Sequence, residues 1–100
     1  MSVVMILRVK ADPNSLEQFA NANPEVMRGV GEAGRAAGAT RHLFAGGDGE
    51  VLVIDEWPDE ASFQKFFDSQ PDIPGIMQQA GAQGPPEISF YRKLDTPDAF

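Results

Sequence analysis

EVLVIDEWPDEASFQKFF, from Glu50 to Phe67, is the stretch that decides the fold. It begins as a short apolar strand, which ends in two carboxylates and the only tryptophan of the chain, Trp57. A proline then breaks the strand, and Asp59 is a residue type that caps helices. The phenylalanines that follow have the spacing of an amphipathic helix. Trp57 is therefore predicted to lie at a strand-to-helix corner, where a ligand cavity would open.

Three further strands are predicted, two before this stretch and one after it. They cover Val3–Val9, Ala39–Ala45 and Ile88–Leu94, where apolar residues recur with the period of a strand. Gly46–Gly49 lies between the second strand and Glu50–Trp57. It is predicted to be a hairpin loop, because glycine supplies the positive φ angles that such turns need.

Helical periodicity fills the segments between the strands. The predicted helices cover residues 15–21, a restart after Asn23-Pro24 that ends at Gly38, the aromatic segment after Asp59, and a short piece from Asp72 to Ala80. Ser15 and Gln18 have the spacing of a capping box at the start of the first helix. Gly81–Pro86 is predicted to be a loop because it is rich in glycine and proline.

The resulting order, β-α-β-β-α-(α)-β, predicts a ferredoxin-like βαββαβ domain of the α+β class, with a four-stranded antiparallel sheet and helices on one face. One domain is expected over residues 1–100, with the tail 95–100 flexible or exchanged between subunits. The strands are apolar on both faces, and helices on one face leave the other in water. A second copy of the chain is the simplest cover, so a homodimer is expected.

The charge of the chain disfavours two classes of partner. The net charge is -7, from 15 acidic and 8 basic residues, and no run of basic residues is longer than two. Nucleic acids and anionic membrane surfaces are therefore disfavoured as partners, because both bind clustered cations.

The chain has no cysteine, which excludes disulfides, thiolate zinc sites, iron–sulfur clusters and cysteine nucleophiles. The apolar run Val3–Leu7 is short and indicates a strand, not a signal peptide. No segment approaches the roughly 20 apolar residues of a membrane span. A soluble cytoplasmic protein is expected.

The sequence resembles the dimeric α+β barrel superfamily, and within it the antibiotic-biosynthesis-monooxygenase-type domains. The similarity rests on the first strand VVMILRVK, the glycine hairpin GGDGE and, above all, VLVIDEWPDEASFQKFFDS. In that family a strand ending in Glu-Trp precedes a polar corner and a helix with an Ala-Phe-x-x-Phe-type pattern. Glu56-Trp57 and the segment from Ala61 to Phe66 correspond to it here. The resemblance implies a ferredoxin-like fold that pairs into a dimeric α/β barrel.

Members of this superfamily include cofactor-free oxygenases, haem-degrading enzymes, isomerases and proteins with no established activity. In the oxygenases the strand tryptophan works with an asparagine earlier on the strand and a tyrosine in the following helix. Trp57 matches the tryptophan, whereas Val53 and Phe63 stand where the polar partners would be. Haem-degrading relatives use a first-strand asparagine and a histidine on a later helix. Both are missing here, so haem degradation by that route is not expected.

Trp57, His42 and Tyr91 are the candidate catalytic residues. Trp57 would line the cavity, and His42, the only histidine, can act as a general base near neutral pH. Tyr91 on the last strand can form a hydrogen bond with a ligand oxygen. The structural alternatives are a brace for the sheet, a surface histidine and a cross-strand pair, respectively. The expected ligand-binding residues are Trp57, Phe63, Phe66 and Met77.

Asp55 and Glu56 are neighbours on a strand and therefore point to opposite faces. One of them is expected to face inward or toward a dimer partner, and an inward carboxylate would be a further candidate base. The alternative is a salt bridge across the sheet to Arg8, Arg41 or Arg92. The sequence leaves open which of the two faces inward.

Two functions follow from these observations. The first is a monooxygenase-like enzyme that acts on a hydrophobic or aromatic small molecule without a bound cofactor, because an electron-rich substrate can itself supply electrons to O2. No metal is expected, because His42 lacks the spacing of a ligand set. The second is a non-catalytic, small-ligand-binding or structural homodimer, and an assembly partner that covers its sheet with another protein is a third.

The volume beside Trp57 is expected to separate the first two functions. An enzyme predicts a cavity of roughly several hundred Å3 with at least two convergent polar groups. A cavity filled by Phe63, Phe66 and Met77 indicates the non-catalytic alternative.

Overall fold

The computed structural model describes residues 2–100. In chain order its elements are β1 (Val3–Lys10), α1 (Pro13–Ala22), α2 (Pro24–Ala36), β2 (Arg41–Gly47), β3 (Glu50–Trp57), α3 (Glu60–Ser69), α4 (Ile73–Gln79) and β4 (Gln83–Arg92). The strands form one sheet in the order β2-β3-β1-β4, and each neighbouring pair is antiparallel. This is the predicted ferredoxin-like α+β architecture.

One face of the sheet carries the helices and the core. Side chains alternate along each strand, so every second residue of β1 and β3 points toward the helices. The buried residues of these two strands include Met5, Leu7, Val9, Val51, Val53 and Trp57. Phe63 of α3 and Ile76 of α4 pack onto them from the helix side. Burial of one such side chain stabilises the fold by roughly 1.5–3 kcal/mol.

Helix α1 begins at a different residue from the one that its sequence indicates. The carboxylate of Asp12 accepts hydrogen bonds from the backbone N–H of Asn14 at 3.0 Å and from the Ser15 hydroxyl at 2.8 Å. The Ser15 hydrogen bond is the larger cause of a lowered pKa at Asp12. The prediction of a capping box at Ser15 and Gln18 is therefore wrong. Asp12 takes the cap because Pro13 suits the first helical position.

The break between α1 and α2 is where the sequence predicts it. Asn23 ends α1, and its side-chain amide donates to the Phe19 carbonyl at 2.9 Å. Pro24 opens α2, which ends before Gly38. Gly38 has a φ of 120°, and a β-carbon there would lie 2.9 Å from Pro58 Cγ. Only glycine satisfies both the backbone angle and this close approach.

The bounds of β1, β2 and β4 differ from the prediction, and two of the differences fall on predicted loops. Gly46 and Gly47 pair with Val51 and Glu50, so β2 extends through half of the expected hairpin loop. At the other sheet edge, β4 begins at Gln83, inside the predicted Gly81–Pro86 loop. The two adjacent prolines there are tolerated because β4 is an edge strand and its pairing with β1 is irregular between Arg8 and Lys10.

The second face of the sheet, here called the open face, carries no helix in the part of the chain from residue 2 to 100. Its side chains are half-buried or exposed, and those at its centre are mostly apolar. They include Val4, Ile6, Leu43, Ala45, Leu52, Ile54 and Tyr91. Charged residues stand around this apolar centre. None of the helices in residues 2–100 combines the length and apolar character needed to cross a bilayer.

Glu56 forms ion pairs with cations from both sides of the open face. Its carboxylate lies 2.9 Å from Lys93 Nζ and 3.3 Å from Arg41 Nε. Lys93 is the first cause, and Arg41 a further one, of a pKa of Glu56 below its ordinary value. The salt bridge to Arg41 that the sequence left open therefore exists, and Glu56 is the residue that forms it.

Gly38→Ala is expected to lower the free energy of unfolding by about 1–3 kcal/mol, because the new methyl group meets Pro58 and the backbone angle becomes strained. The matched control is Gly29→Ala, whose added β-carbon has no neighbour within 4 Å. The control should raise stability by about 0.5–1 kcal/mol through helix propensity. Urea unfolding of both variants measures this. Equal effects would contradict the close approach at Gly38.

Glu56→Gln is expected to destabilise the fold near neutral pH and to lose that effect in acid. The folded pKa of Glu56 is lowered, so its contribution is complete above its unfolded pKa and disappears as pH falls through the folded value. Denaturant unfolding of wild type and variant from about pH 7 to about pH 3 should show the difference shrinking. Glu17→Gln on the exposed side of α1 is the control. A difference independent of pH would contradict the pairing.

Candidate functional site

A cavity of about 80 Å3 lies between the helix-bearing face of the sheet and helices α2, α3 and α4. Its walls are almost entirely apolar, and the polar groups are gathered at the β2–β3 side. The lining residues include Met5, Leu7, Met27, Val30, Gly31, Gly34, Ala39, His42, Phe44, Val53, Asp55, Trp57, Phe63, Phe66, Phe67, Ile73, Ile76 and Met77.

Trp57 forms the end wall of this cavity at the corner between β3 and α3. Strand alternation places it on the same face as Val53, and its side chain is 1% exposed. The indole lies 5.7 Å from the Phe63 ring and 5.4 Å from the Phe66 ring, measured between centroids. The Asp59 side chain accepts from the Ser62 backbone N–H at 2.7 Å and thereby fixes where α3 begins. The predicted corner is therefore present.

Asp55 is the polar centre of the site. It lies two residues before Trp57 and so faces the helices, where it is 5% exposed. Its Oδ2 accepts a hydrogen bond from Trp57 Nε1 at 3.0 Å. Its Oδ1 lies 2.7 Å from His42 Nδ1. The register of the sheet explains this contact, because His42 of β2 pairs directly with Asp55 of β3.

These contacts form a chain of three residues, the His42–Asp55–Trp57 chain. An indole N–H can only donate and an ionised carboxylate can only accept. When Asp55 is ionised, Nδ1 of His42 is therefore the nitrogen that donates to it, and in a neutral imidazole of this tautomer Nε2 keeps its lone pair. A carboxylate that orients a histidine in this way is a recurrent arrangement around general bases.

His42 stands at the mouth of the cavity. Its side chain is 40% exposed, and its ring lies 5.1 Å from the ring of Phe44 in an edge-to-face arrangement. Both residues belong to β2, an edge strand that the helices cover poorly. The site is therefore reached from the β2 edge of the sheet, and one nitrogen of the imidazole can meet a ligand from solvent.

An outer groove of about 380 Å3 adjoins the cavity between α2 and β2. We call it the arginine groove. It is lined by Arg28, Gly31, Glu32, Arg35, Ala39, Thr40, Arg41 and His42. Gly31, Ala39 and His42 line the cavity as well, so the two spaces meet at these three residues.

The structure brings together five of the six predicted site residues. Trp57, Phe63, Phe66 and Met77 surround the cavity, and His42 lies at its mouth. Tyr91 is not brought there. It pairs with Val4, lies on the open face and is 57% exposed, so the sheet separates it from the cavity.

Asp55 is the inward carboxylate that the sequence offered as a further candidate base without choosing between it and Glu56. The sequence left open whether Asp55 or Glu56 faces inward, and the structure places Asp55 inward. A signal was available, since residues two apart on a strand share a face and Trp57 was predicted to line the cavity. Asp55 does not form the predicted salt bridge to an arginine. Within residues 2–100 no group of three or more His, Asp or Glu side chains is placed to hold a metal ion.

Comparison with known proteins identifies relatives by structure alone. A scan against family models and a search of curated proteins found no match to the sequence. Among solved structures, SnoaB, a cofactor-independent oxygenase from Streptomyces nogalater, aligns with a TM-score of 0.61 at 17% identity, over 98% of each chain. NE2512, a protein of unknown function from Nitrosomonas europaea, aligns with a TM-score of 0.62 at 20% identity, over 99% of this chain and 95% of its own.

A third structure, an antibiotic biosynthesis monooxygenase, aligns with a TM-score of 0.62 at 12% identity, over 93% of this chain and 99% of its own. At such identities the likeness shows the fold and leaves the activity open. The relatives match this chain over nearly its whole length and theirs. The chain therefore has the same α+β fold as these proteins, which is the ferredoxin-like fold that the sequence resemblance implied.

Proposed function

We propose that the protein is a monooxygenase-like enzyme that needs no bound cofactor and acts on a hydrophobic or aromatic small molecule. The observation that carries this proposal is the His42–Asp55–Trp57 chain at one end of an apolar cavity. Two convergent polar groups, a histidine oriented by a carboxylate, supply a base where an apolar substrate would lie. The description of SnoaB as a cofactor-independent oxygenase supports the reaction type.

The reaction starts with proton removal. Nε2 of His42 takes a proton from an acidic C–H of the substrate, and the resulting carbanion gives its electrons to O2. A new C–O bond forms and the O–O bond breaks. One oxygen atom stays on the carbon as a carbonyl, and the other leaves as water with the two hydrogens of the original CH2. The substrate carbon is oxidised by four electrons, and O2, the only oxidant, accepts all four.

Asp55 and Trp57 act through position. Asp55 holds the imidazole in the tautomer that leaves Nε2 free, and it stabilises the imidazolium that forms. Trp57 holds the second oxygen of Asp55 and closes the apolar end wall. The electron-rich ring system of the substrate would lie against Phe66 and Met77, where water is excluded.

The volume of the cavity sets a condition on this proposal. The cavity measures about 80 Å3, which is smaller than the several hundred Å3 expected for an enzyme site. Typical ligand sites occupy roughly 300–1,000 Å3. Entry of an aromatic ring therefore requires movement of the lining side chains. Met27 and Met77 line the cavity, and methionine adapts its shape more easily than branched residues.

The small volume favours a second function, a non-catalytic, small-ligand-binding protein. Val53 and Phe63 stand where oxygenases of this type would carry polar partners, and both line the cavity as apolar walls. In this alternative the His42–Asp55–Trp57 chain fixes the corner and does no chemistry. The two functions predict opposite results when His42 is replaced.

We also propose that the protein is a homodimer joined through the open face. The central residues Ile6, Leu52 and Ile54 are half-buried in one chain, and a second copy would remove them from water. A twofold pairing is self-complementary and closes on itself, which suits a chain with one such face. The predicted cytoplasmic location stays a prediction.

His42→Ala and Asp55→Asn are expected to lower the rate of oxygen uptake by roughly 10²–10⁴-fold with the fold retained. The assay supplies a panel of electron-rich aromatic compounds with an acidic methylene group and follows O2 with an electrode. Trp57→Phe, which removes the hydrogen bond to Asp55, should give a smaller loss. Lys65→Gln on the exposed side of α3 is the control. Uptake that is unchanged in the His42 and Asp55 variants would support the non-catalytic alternative.

Ile54→Lys is expected to convert the dimer into a folded monomer, because a charge at the centre of the open face cannot be desolvated cheaply. Sedimentation velocity measures the mass, and circular dichroism checks the fold. Gln18→Lys, on the exposed surface of α1, introduces the same charge away from the open face and should remain dimeric. A wild-type protein that sediments as a monomer at high concentration would contradict the proposal.

A further inference from the structure

We propose that the arginine groove binds the anionic end of an organic acid whose apolar end enters the cavity. The ligand class is a mono-anionic aryl or alkyl carboxylic acid. This inference deepens the proposed function by naming a substrate class for the same site, and it rests on the cavity described there.

The first support is the distribution of charge. The groove is lined by three of the eight basic residues of the chain but by only one of its fifteen acidic residues. The whole chain has a net charge of -7, so a local excess of cations is exceptional on this surface. Long-range attraction does not favour anions here, and binding must come from the groove itself.

The second support is that two of these cations form no ion pair with any of residues 2–100. Arg28 and Arg35 are seven residues apart on α2, which places them on the same side of the helix, two turns apart and separated by about 10 Å along its axis. Within residues 2–100 neither of them forms an ion pair. Arg41 lines the groove too, but its guanidinium is held by Glu56 on the open face.

Glu32 limits what the groove accepts. It lies on α2 between Arg28 and Arg35 and also lines the groove. With this carboxylate present, the groove has an excess charge suited to a single anion. A polyphosphate or a nucleic acid would place further negative charge against Glu32 and against the acidic surface of the chain.

The third support is that the groove and the cavity adjoin each other. Gly31, Ala39 and His42 line both spaces. A β-carbon on Gly31 would meet no atom within 4 Å, so small residues leave the junction open on the α2 side. A molecule that spans the junction has its anionic end in a polar groove and its apolar end in an apolar cavity.

The chemistry of the junction fits this occupant. A guanidinium binds a carboxylate through two parallel hydrogen bonds, which fix orientation as well as distance. An acid anchored at Arg28 or Arg35 presents the atoms next to its apolar end to His42. The groove therefore supplies the orientation that the nearly featureless walls of the cavity cannot supply.

The test compares a charged probe with its neutral analogue. Trp57 is the only tryptophan and lines the cavity, so its fluorescence reports binding. The full-length protein is titrated with 4-phenylbutyrate and with 4-phenylbutyramide, which differ in charge but hardly in shape. The acid should bind at least about tenfold more tightly than the amide. Added salt should weaken the binding of the acid and leave the binding of the amide unchanged.

Substitutions in the groove then locate the difference. Arg28→Gln and Arg35→Gln should together reduce affinity for the acid by about tenfold or more and leave the amide unchanged. Lys65→Gln removes one positive charge from α3 and should change neither the affinity for the acid nor that for the amide. Glu32→Gln should increase the affinity for the acid, because it removes the negative charge from the groove. A merely structural role of the groove would not produce this increase.

Each possible result decides the proposal. Equal affinity for acid and amide, no binding of either, or an acid preference that survives the double arginine variant would overturn it. An acid preference without oxygen uptake would leave it standing while contradicting the enzymatic proposal. Oxygen uptake that depends on His42, without a preference for acids, would contradict the groove proposal and leave the enzymatic proposal standing.

Discussion

The alternation of side chains along β3 is the constraint on which the rest of the structure depends. Because successive residues point to opposite faces, Val51, Val53, Asp55 and Trp57 face the helices, while Glu56 faces the other way. The same two-residue period builds the core, brings a carboxylate beside an indole and leaves Glu56 to join the sheet edges. A shift of one residue in the pairing of β3 would exchange these roles, so the register is fixed by the hydrophobic burial of a whole strand.

The site is built by this strand together with one cross-strand pair. Asp55 is held from its own strand by Trp57 and from the neighbouring strand by His42. Within residues 2–100 no buried side-chain nitrogen or oxygen lacks a hydrogen-bond partner. A buried carboxylate with both oxygens occupied costs the fold much less than an unpaired one would. A polar group can therefore persist next to an apolar cavity, where it is available for chemistry.

Much of the fold could be read from the sequence, because its signals are local. Strand alternation, Asp59 as a helix cap and the break at Asn23-Pro24 each depend on a few neighbouring residues. Local signals failed where tertiary structure decides. Gln83–Arg92 pairs as a strand despite its prolines because it lies at a sheet edge and its pairing with β1 is irregular beside them. At the start of α1, Asp12 and not Ser15 is the cap. The inward position of Asp55 was within reach, whereas the arginine groove was not, since it depends on how α2 packs beside β2.

The cavity and the groove both open on the helix side of the sheet, whereas the apolar surface available to a second copy lies on the opposite side. Subunits joined back to back through their sheets would therefore carry two complete binding centres that point away from each other. Neither binding centre would include a side chain from the other subunit. Saturation of such an assembly would follow a simple hyperbola, with no communication between its halves unless the shared sheet itself deformed.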